Sequence, residues 1–337
     1  MTPENLEEKL CTPSERLIND FKKVQGNILI LGLGGKMGPS LGKLARNAAE
    51  AAGSDIQVMG ASRFSNADLR SEMETYGIRT FAGDLLDDTF LQRLPDVENI
   101  IYMAGQKFGT DGAESYTWAM NTFLPGMVAD RYRNSNIVAF STGNVYPFVS
   151  VKGQGATEKT NLSPLGEYAQ SCLGRERIFE YFAKKNNTPT LIYRLNYALD
   201  LHYGVLNDIA LSVKHGNPLS LDMGFANVIW QGDANEYAIR SLLHCQVPAK
   251  PLNVTGPQVL SVEKLARTFA EKFGTTPNFE GQPKETALLS DASHAYELFG
   301  KPLVSIDQMI DWTVDWINSG GKQLGKPTHF QERKGNF

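Results

Sequence analysis

An apolar run that drives straight into a glycine-spaced turn limits the fold of this chain more than any other segment. Residues Ile28 to Gly38 read Ile-Leu-Ile-Leu-Gly-Leu-Gly-Gly-Lys-Met-Gly, with glycines at Gly32, Gly35 and Gly38. Four consecutive apolar residues suit a strand buried on both faces, and the G-x-x-G-x-x-G spacing lets the backbone stop, turn sharply and enter a helix. The same turn leaves room for a pyrophosphate to approach the backbone at a helix N-terminus. Gly32, Gly35, Lys36, Met37 and Gly38 are therefore candidate dinucleotide contacts. Tight strand-to-helix turns without a ligand use glycine too, so the motif needs support from the rest of the chain.

That support comes from strict alternation. Strand-like runs at Asn27–Leu31, Ile56–Met59, Thr80–Phe81, Asn99–Met103, Asn136–Ser141 and Thr190–Leu195 are separated by helical stretches near Pro39–Ala52, Asn66–Tyr76, Thr89–Leu94, Tyr116–Arg133 and Glu167–Lys184. The pattern predicts an α/β fold, a doubly wound parallel sheet covered on both faces. Ligands of such sheets bind beyond the carboxyl ends of the strands, where the Gly32 turn and the Ser141-Thr142 segment both fall. Residues 1–25 read as a short helical preface and 26–196 as the dinucleotide-binding domain. Residues 197–320 read as a smaller C-terminal substrate-binding lobe interleaved with the sheet, and 321–337 as a polar, loose tail.

Composition narrows the function classes. The chain carries 33 basic and 37 acidic residues for a net charge of -4, which gives no support to nucleic-acid or anionic-membrane partners and favours a small-molecule substrate. No stretch approaches the roughly 20 apolar residues of a membrane span, and Met1 to Asp20 lacks a signal peptide's apolar middle, so a cytoplasmic protein is expected. A homodimer stays open. Cys11, Cys172 and Cys245 are too scattered for a disulfide framework or zinc site, the histidines show no ligand spacing, and no metal is expected. Lys43 is followed by leucine, so a phosphate-binding G-x-x-x-x-G-K-[S/T] loop is absent.

The order of motifs resembles the extended short-chain dehydrogenase/reductase family, the nucleotide-sugar epimerases, dehydratases and related reductases with a Rossmann fold. The likeness runs from about Gly26 to Trp316. Gly32, Gly35 and Gly38 match its glycine turn, and Gly83-Asp84-Leu85 resembles the segment that holds the adenine. Tyr102-Met103-Ala104-Gly105 resembles the strand end beside the cofactor, and Asn121 matches the helix asparagine. Phe140-Ser141-Thr142-Gly143-Asn144-Val145-Tyr146 resembles the Ser-Ser-x-x-Val-Tyr run, which implies that Thr142 is the catalytic hydroxyl. Tyr168-Ala169-Gln170-Ser171-Cys172 resembles Tyr-x-x-x-Lys, with Tyr168 as acid/base. The resemblance further implies cofactor contacts from Asp84, Leu85, Ala104, Gly105, Asn121 and Cys172, and substrate contacts from Lys107, Asn144 and Asn196.

Cys172 departs from the pattern. A tyrosine titrating near pH 10 in water needs a cation beside it to work as a base at neutral pH, and a neutral thiol supplies none. Three readings follow. Arg175, two helical turns after Tyr168, or Lys107 or Lys36, takes over the charge; or Tyr168 acts as a neutral hydrogen-bond donor; or catalysis is lost and the protein only senses a dinucleotide. Each residue also has a plainer reading, Tyr168 as packing, Thr142 as a turn cap and Cys172 as a small buried hydrophobe. The second strand ends Val58-Met59-Gly60-Ala61-Ser62-Arg63 with no acid for the ribose hydroxyls. Ser62 and Arg63 there suit the 2'-phosphate of NADP, with NAD as the alternative.

Overall fold

The computed structural model describes residues 2–107, 112–326 and 328–335. Its central sheet consists of β1 (Ile28–Leu31), β2 (Val58–Ser62), β3 (Arg79–Ala82), β4 (Asn99–Tyr102), β5 (Asn136–Thr142), β6 (Thr190–Leu195) and β7 (Lys250–Val254). The order is 7-6-5-4-1-2-3, and every neighbouring pair is parallel. All four residues of β1 and of β4 are buried, as strands covered by helices on both faces require. Ile28 and Ile30 point into one core with Leu41 and Leu44, while Leu29 and Leu31 point into the other with Leu124, Val128 and Phe179. The order reverses between β1 and β4, which opens a crevice at their carboxyl ends.

The C-terminal lobe has its own core, in which Leu206, Ile209, Trp230, Leu265, Phe269 and Trp316 meet. It is interleaved with the sheet: Leu252–Val254 belongs to the seventh strand, paired with β6. The preface forms two helices, Pro3–Cys11 and Glu15–Phe21, started by the side chains of Thr2 and Ser14. Leu17 and Phe21 enter the sheet core and Leu6, Leu10 and Cys11 the lobe core, so this segment pins the two together.

Two expectations change. The single helix expected over Tyr116–Arg133 is broken into helices Glu114–Trp118 and Leu124–Arg131 around a π-turn at Ala119–Phe123. Pro125 has no N–H to give the carbonyl four residues back, so the Asn121 carbonyl is released from the helical ladder. The tail is not loose. Phe330 is 1% exposed in the lobe core, the Thr328 N–H and hydroxyl donate to Asp208 Oδ2 at 2.9 and 2.6 Å, and Arg333 donates to the Thr286 carbonyl at 2.8 Å. One aromatic and one arginine anchor a segment whose average polarity hides them.

Candidate active site

The glycine turn divides its labour. Gly32 has φ +103°, and a Cβ there would lie 2.8 Å from the Ala104 nitrogen, so glycine lets the ends of β1 and β4 close on each other. A Cβ on Gly38 would meet the Leu33 carbonyl, so this glycine serves helix packing. A Cβ on Gly35 meets only the Gly32 carbonyl, at 3.2 Å, and otherwise opens onto free space. The Gly38–Ala51 helix that follows has no side-chain cap. Among the described residues no acceptor takes the amide hydrogens of Lys36 or Met37. Open space over glycine and uncapped amides at a helix start fit a dinucleotide pyrophosphate.

A cleft of about 700 Å³ opens at this end of the sheet. Gly32, Gly35, Lys36, Met37, Arg63, Gly105, Lys107, Thr142, Asn144, Tyr168, Arg175 and Asn196 stand on its wall. Gly38, Ser62, Asp84, Leu85, Ala104, Asn121 and Cys172 do not. Ser62 lies directly behind the turn, 2.7 Å from where a Gly34 Cβ would be, and Ala104 contributes its backbone against Gly32. Asp84 caps a local turn by accepting the Leu86 N–H at 3.0 Å, and Leu85 is buried in the sheet core.

The chemistry concentrates where β5 meets the Gly166–Asn186 helix. Thr142 Oγ1 accepts the Asn144 N–H at 3.2 Å, which leaves its own hydrogen to point to the Tyr168 hydroxyl. Tyr168 touches the thiol of Cys172 on its other side. Burial, and next the Cys172 thiol, push the Tyr168 hydroxyl well above its ordinary range, while the Arg175 guanidinium works in the opposite direction. Cys172 is fully buried among Val145, Tyr146 and Ala156, and burial raises its thiol as well. The small-hydrophobe reading of this residue is the one its surroundings match.

Arg175 stands on the cleft wall and is held from three sides. Its Nη1 donates to the Phe140 carbonyl at 2.8 Å, its Nη2 to Asn121 Oδ1 at 2.6 Å, and its Nε to the Asn121 carbonyl at 3.4 Å, the carbonyl that Pro125 releases. Gly105 admits it: a Cβ there would sit 2.5 Å from Nη2. Asn121 is fully buried and also exchanges hydrogen bonds with the Gln106 backbone at 2.8 Å each way, so its amide is committed to positioning the wall.

Beneath β5 lies a polar network that sequence reasoning missed. Glu176 accepts from Ser141 Oγ at 2.5 Å and forms a two-point ion pair with Arg194 at 2.9 and 2.6 Å, and Arg194 donates to the Tyr146 hydroxyl at 2.7 Å. Both charged groups are buried and paired, which locks the strand end that carries Thr142. Glu176 had one signal, its place one residue after Arg175 on a helix packed against β5. Lys36 Nζ lies 3.4 Å from the Ala198 carbonyl and over the Tyr203 ring, and Lys107 Nζ lies 3.5 Å from the Thr328 carbonyl. Burial and the neighbouring Lys36 bring Lys107 down to about 8. Asn196 lies on the wall with its amide donating to Asn227 Oδ1 at 2.9 Å. No group of three or more potential metal ligands occurs, and no helix is long and apolar enough to cross a membrane, among the described residues.

Comparison with known proteins agrees with this architecture. Over most of its length the fold matches the dTDP-glucose 4,6-dehydratase of Bacillus anthracis solved with NAD, with TM-score 0.73, 16% identity, and 87% of this chain and 96% of that one covered. It also matches the UDP-glucuronic acid 4-epimerase of Bacillus cereus solved with NAD, with TM-score 0.69, 18% identity, and 88% and 100% covered. An epimerase of Methanothermobacter thermautotrophicus gives TM-score 0.72 at 18% identity, with 91% and 96% covered. No curated protein sequence matches. The sequence pattern of one family spans residues 28–204, more than half of the chain and the whole run from the glycine turn past Tyr168. The chain belongs to the NAD dependent epimerase/dehydratase family.

Proposed function

We propose that this protein is a dinucleotide-dependent oxidoreductase or epimerase-like enzyme that acts on a hydroxyl or carbonyl of a sugar, sugar acid or similar polar small molecule. The observation that carries this reading is the meeting of the Thr142 and Tyr168 hydroxyls at the end of β5, with the Arg175 guanidinium fixed on the same cleft wall. The glycine turn and the uncapped helix start would hold the dinucleotide, which when bound supplies hydride acceptance or donation at its nicotinamide. Tyr168 handles the proton of the substrate oxygen and Thr142 hydrogen-bonds the same oxygen. Because burial keeps Tyr168 protonated, its ready role is donation to a carbonyl oxygen. Acceptance of a proton must draw on positive charge nearby, at about 1.4 kcal/mol for each pKa unit to be overcome. Arg175 is the residue fixed for that work, since its charge opposes the upward shift of Tyr168.

The preferred cofactor is NADP. β2 ends in Ser62 followed by Arg63, without an acid, and Arg63 stands on the cleft wall with its Nη1 donating to the Tyr116 hydroxyl at 3.2 Å. Dissociation constants for both cofactors test this, and tenfold tighter binding of NAD overturns it.

One observation favours a second reading, a dinucleotide-binding regulator without turnover: a buried thiol stands where the catalytic tyrosine would have a cation. Cofactor titration paired with a turnover screen over sugars and sugar acids separates the two, because both bind and only the enzyme turns over.

A further inference from the structure

Arg63 follows β2 and the helix Glu114–Trp118 follows β4, and in the sheet these two strands flank β1 from opposite sides. Their connections meet across the carboxyl end of β1, where Arg63 Nη1 donates to the Tyr116 hydroxyl at 3.2 Å. Both partners are held from behind. Phe64, next to Arg63, has φ +45°, a left-handed backbone that a bulky side chain adopts only at a cost. This turn packs the Phe64 ring against the sheet core, 3.7 Å from where a Gly34 Cβ would be, and leaves Arg63 exposed on the cleft wall. The Tyr116 ring packs against the core on the other face of the sheet. Its short helix is tied down by Trp118, whose Nε1 donates to Glu167 Oε2 at 2.5 Å, and by Thr117, whose hydroxyl donates to the Ala113 carbonyl at 3.1 Å. A phenol on a fixed ring thus sets the position of a guanidinium on a long, flexible stem.

The donors left over say what that position serves. Tyr116 takes one hydrogen bond from Nη1, and among the described residues no carboxylate pairs with Arg63. A guanidinium carries five N–H donors in a rigid fork, so an edge of it stays open to a phosphate. In a doubly wound sheet the end of the second strand meets the 2' oxygen of the adenosine ribose, and Arg63 stands at that end. We infer that Tyr116 is a positioning residue for cofactor selection: its hydroxyl holds Arg63 with the open edge of the guanidinium toward the 2'-phosphate of NADP, and it adds nothing for NAD. The inference rests on the NADP reading and adds the residue that makes Arg63 selective. Spacing gives no hint of it, because the two residues lie 53 apart in the chain and meet only in the fold.

The test is titration calorimetry of NADP and NAD on the full chain, with Tyr116→Phe, Arg63→Ala and the double variant beside the parent. Tyr116→Phe keeps the packed ring and removes only the hydroxyl. An arginine that must be ordered on binding holds its ligand less tightly by about three- to tenfold, so Tyr116→Phe should raise the NADP dissociation constant by that factor and leave NAD within twofold. In the Arg63→Ala background the same substitution should change neither constant beyond twofold, a dependence on Arg63 that a merely structural tyrosine would not show. An unchanged ratio of the two constants, an equal loss for both cofactors, or a loss of NADP binding that persists without Arg63 overturns the inference. A parent that prefers NADP while Tyr116→Phe leaves the ratio alone overturns the role of Tyr116 and spares the cofactor reading. A parent that binds NAD tenfold more tightly overturns the cofactor reading and the inference with it, so the two failures are told apart by the parent alone.

Discussion

Gly35→Val should separate ligand binding from folding within a single turn. A Cβ at this position meets one atom within 4 Å, the Gly32 carbonyl at 3.2 Å, and the backbone is not in the left-handed region that favours glycine. The folded state should therefore lose no more than about 1 kcal/mol, within the range of an ordinary surface substitution with mild crowding. The methyl groups would stand in the open space that a pyrophosphate needs, in front of the uncapped amides of Lys36 and Met37. Loss of two charge-assisted hydrogen bonds at about 1.5–3 kcal/mol each predicts a dissociation constant raised ~10²–10⁴ fold. Gly32→Ala is the contrast, because φ +103° and a 2.8 Å approach to the Ala104 nitrogen make it a folding mutant, costing about 2–5 kcal/mol. Urea unfolding and calorimetric cofactor titration on both variants measure the two quantities. A folded Gly35→Val variant that binds dinucleotide within threefold of the parent would refute the assignment of this glycine to the pyrophosphate.

Arg63→Asp should reverse or flatten the preference between NADP and NAD, read as the ratio of their dissociation constants; an unchanged ratio removes Arg63 from cofactor selection. Cys172→Ala should keep most of the turnover and lose about 1 kcal/mol of stability, since the thiol acts as packing; a loss of turnover beyond tenfold would make it a working group. Glu176→Ala leaves Arg194 buried and unpaired and should cost about 3–5 kcal/mol in urea unfolding, with little change meaning that the pair does not hold the strand end. Lys107 is brought down to about 8, so the folded chain holds fewer protons than the unfolded one between that pH and the ordinary lysine range near 10.5. Stability of the parent should accordingly gain on Lys107→Met as pH rises from 7 to 9, by no more than about 1.4 kcal/mol per pH unit, and parallel curves would contradict it.

Much of the sheet was legible because a strand buried on both faces writes itself as continuous apolar residues, as in Ile28–Leu31 and, after the polar Asn99, Ile100–Tyr102. The end of the sheet was less so: Lys250–Val254 lies far along the chain, among short strands of the other lobe, and only its pairing with β6 places it. The Thr142 and Tyr168 positions followed from the family likeness, and the seven-residue step from Tyr168 to Arg175 put both on one helix face. What spacing could not tell is how Arg175 is held, since that depends on the π-turn at Asn121 and on a carbonyl released by Pro125. Asn121 illustrates the limit from the other side: the motif marked it as a contact, yet its amide is consumed by Gln106, Ser171 and Arg175. The docking of the C-terminal segment was hidden because two residues, Phe330 and Arg333, fix what composition describes as polar and loose.

The central claim is that Tyr168, supported by Thr142, handles a substrate proton in a dinucleotide cleft, and Tyr168→Phe tests it most directly. The phenyl ring keeps the packing against Val145 and Cys172 and removes only the hydroxyl. Measured on whichever sugar or sugar acid the parent turns over, kcat should fall ~10²–10⁴ fold while the cofactor dissociation constant stays within about twofold. A Tyr168→Phe variant with undiminished kcat would contradict the account.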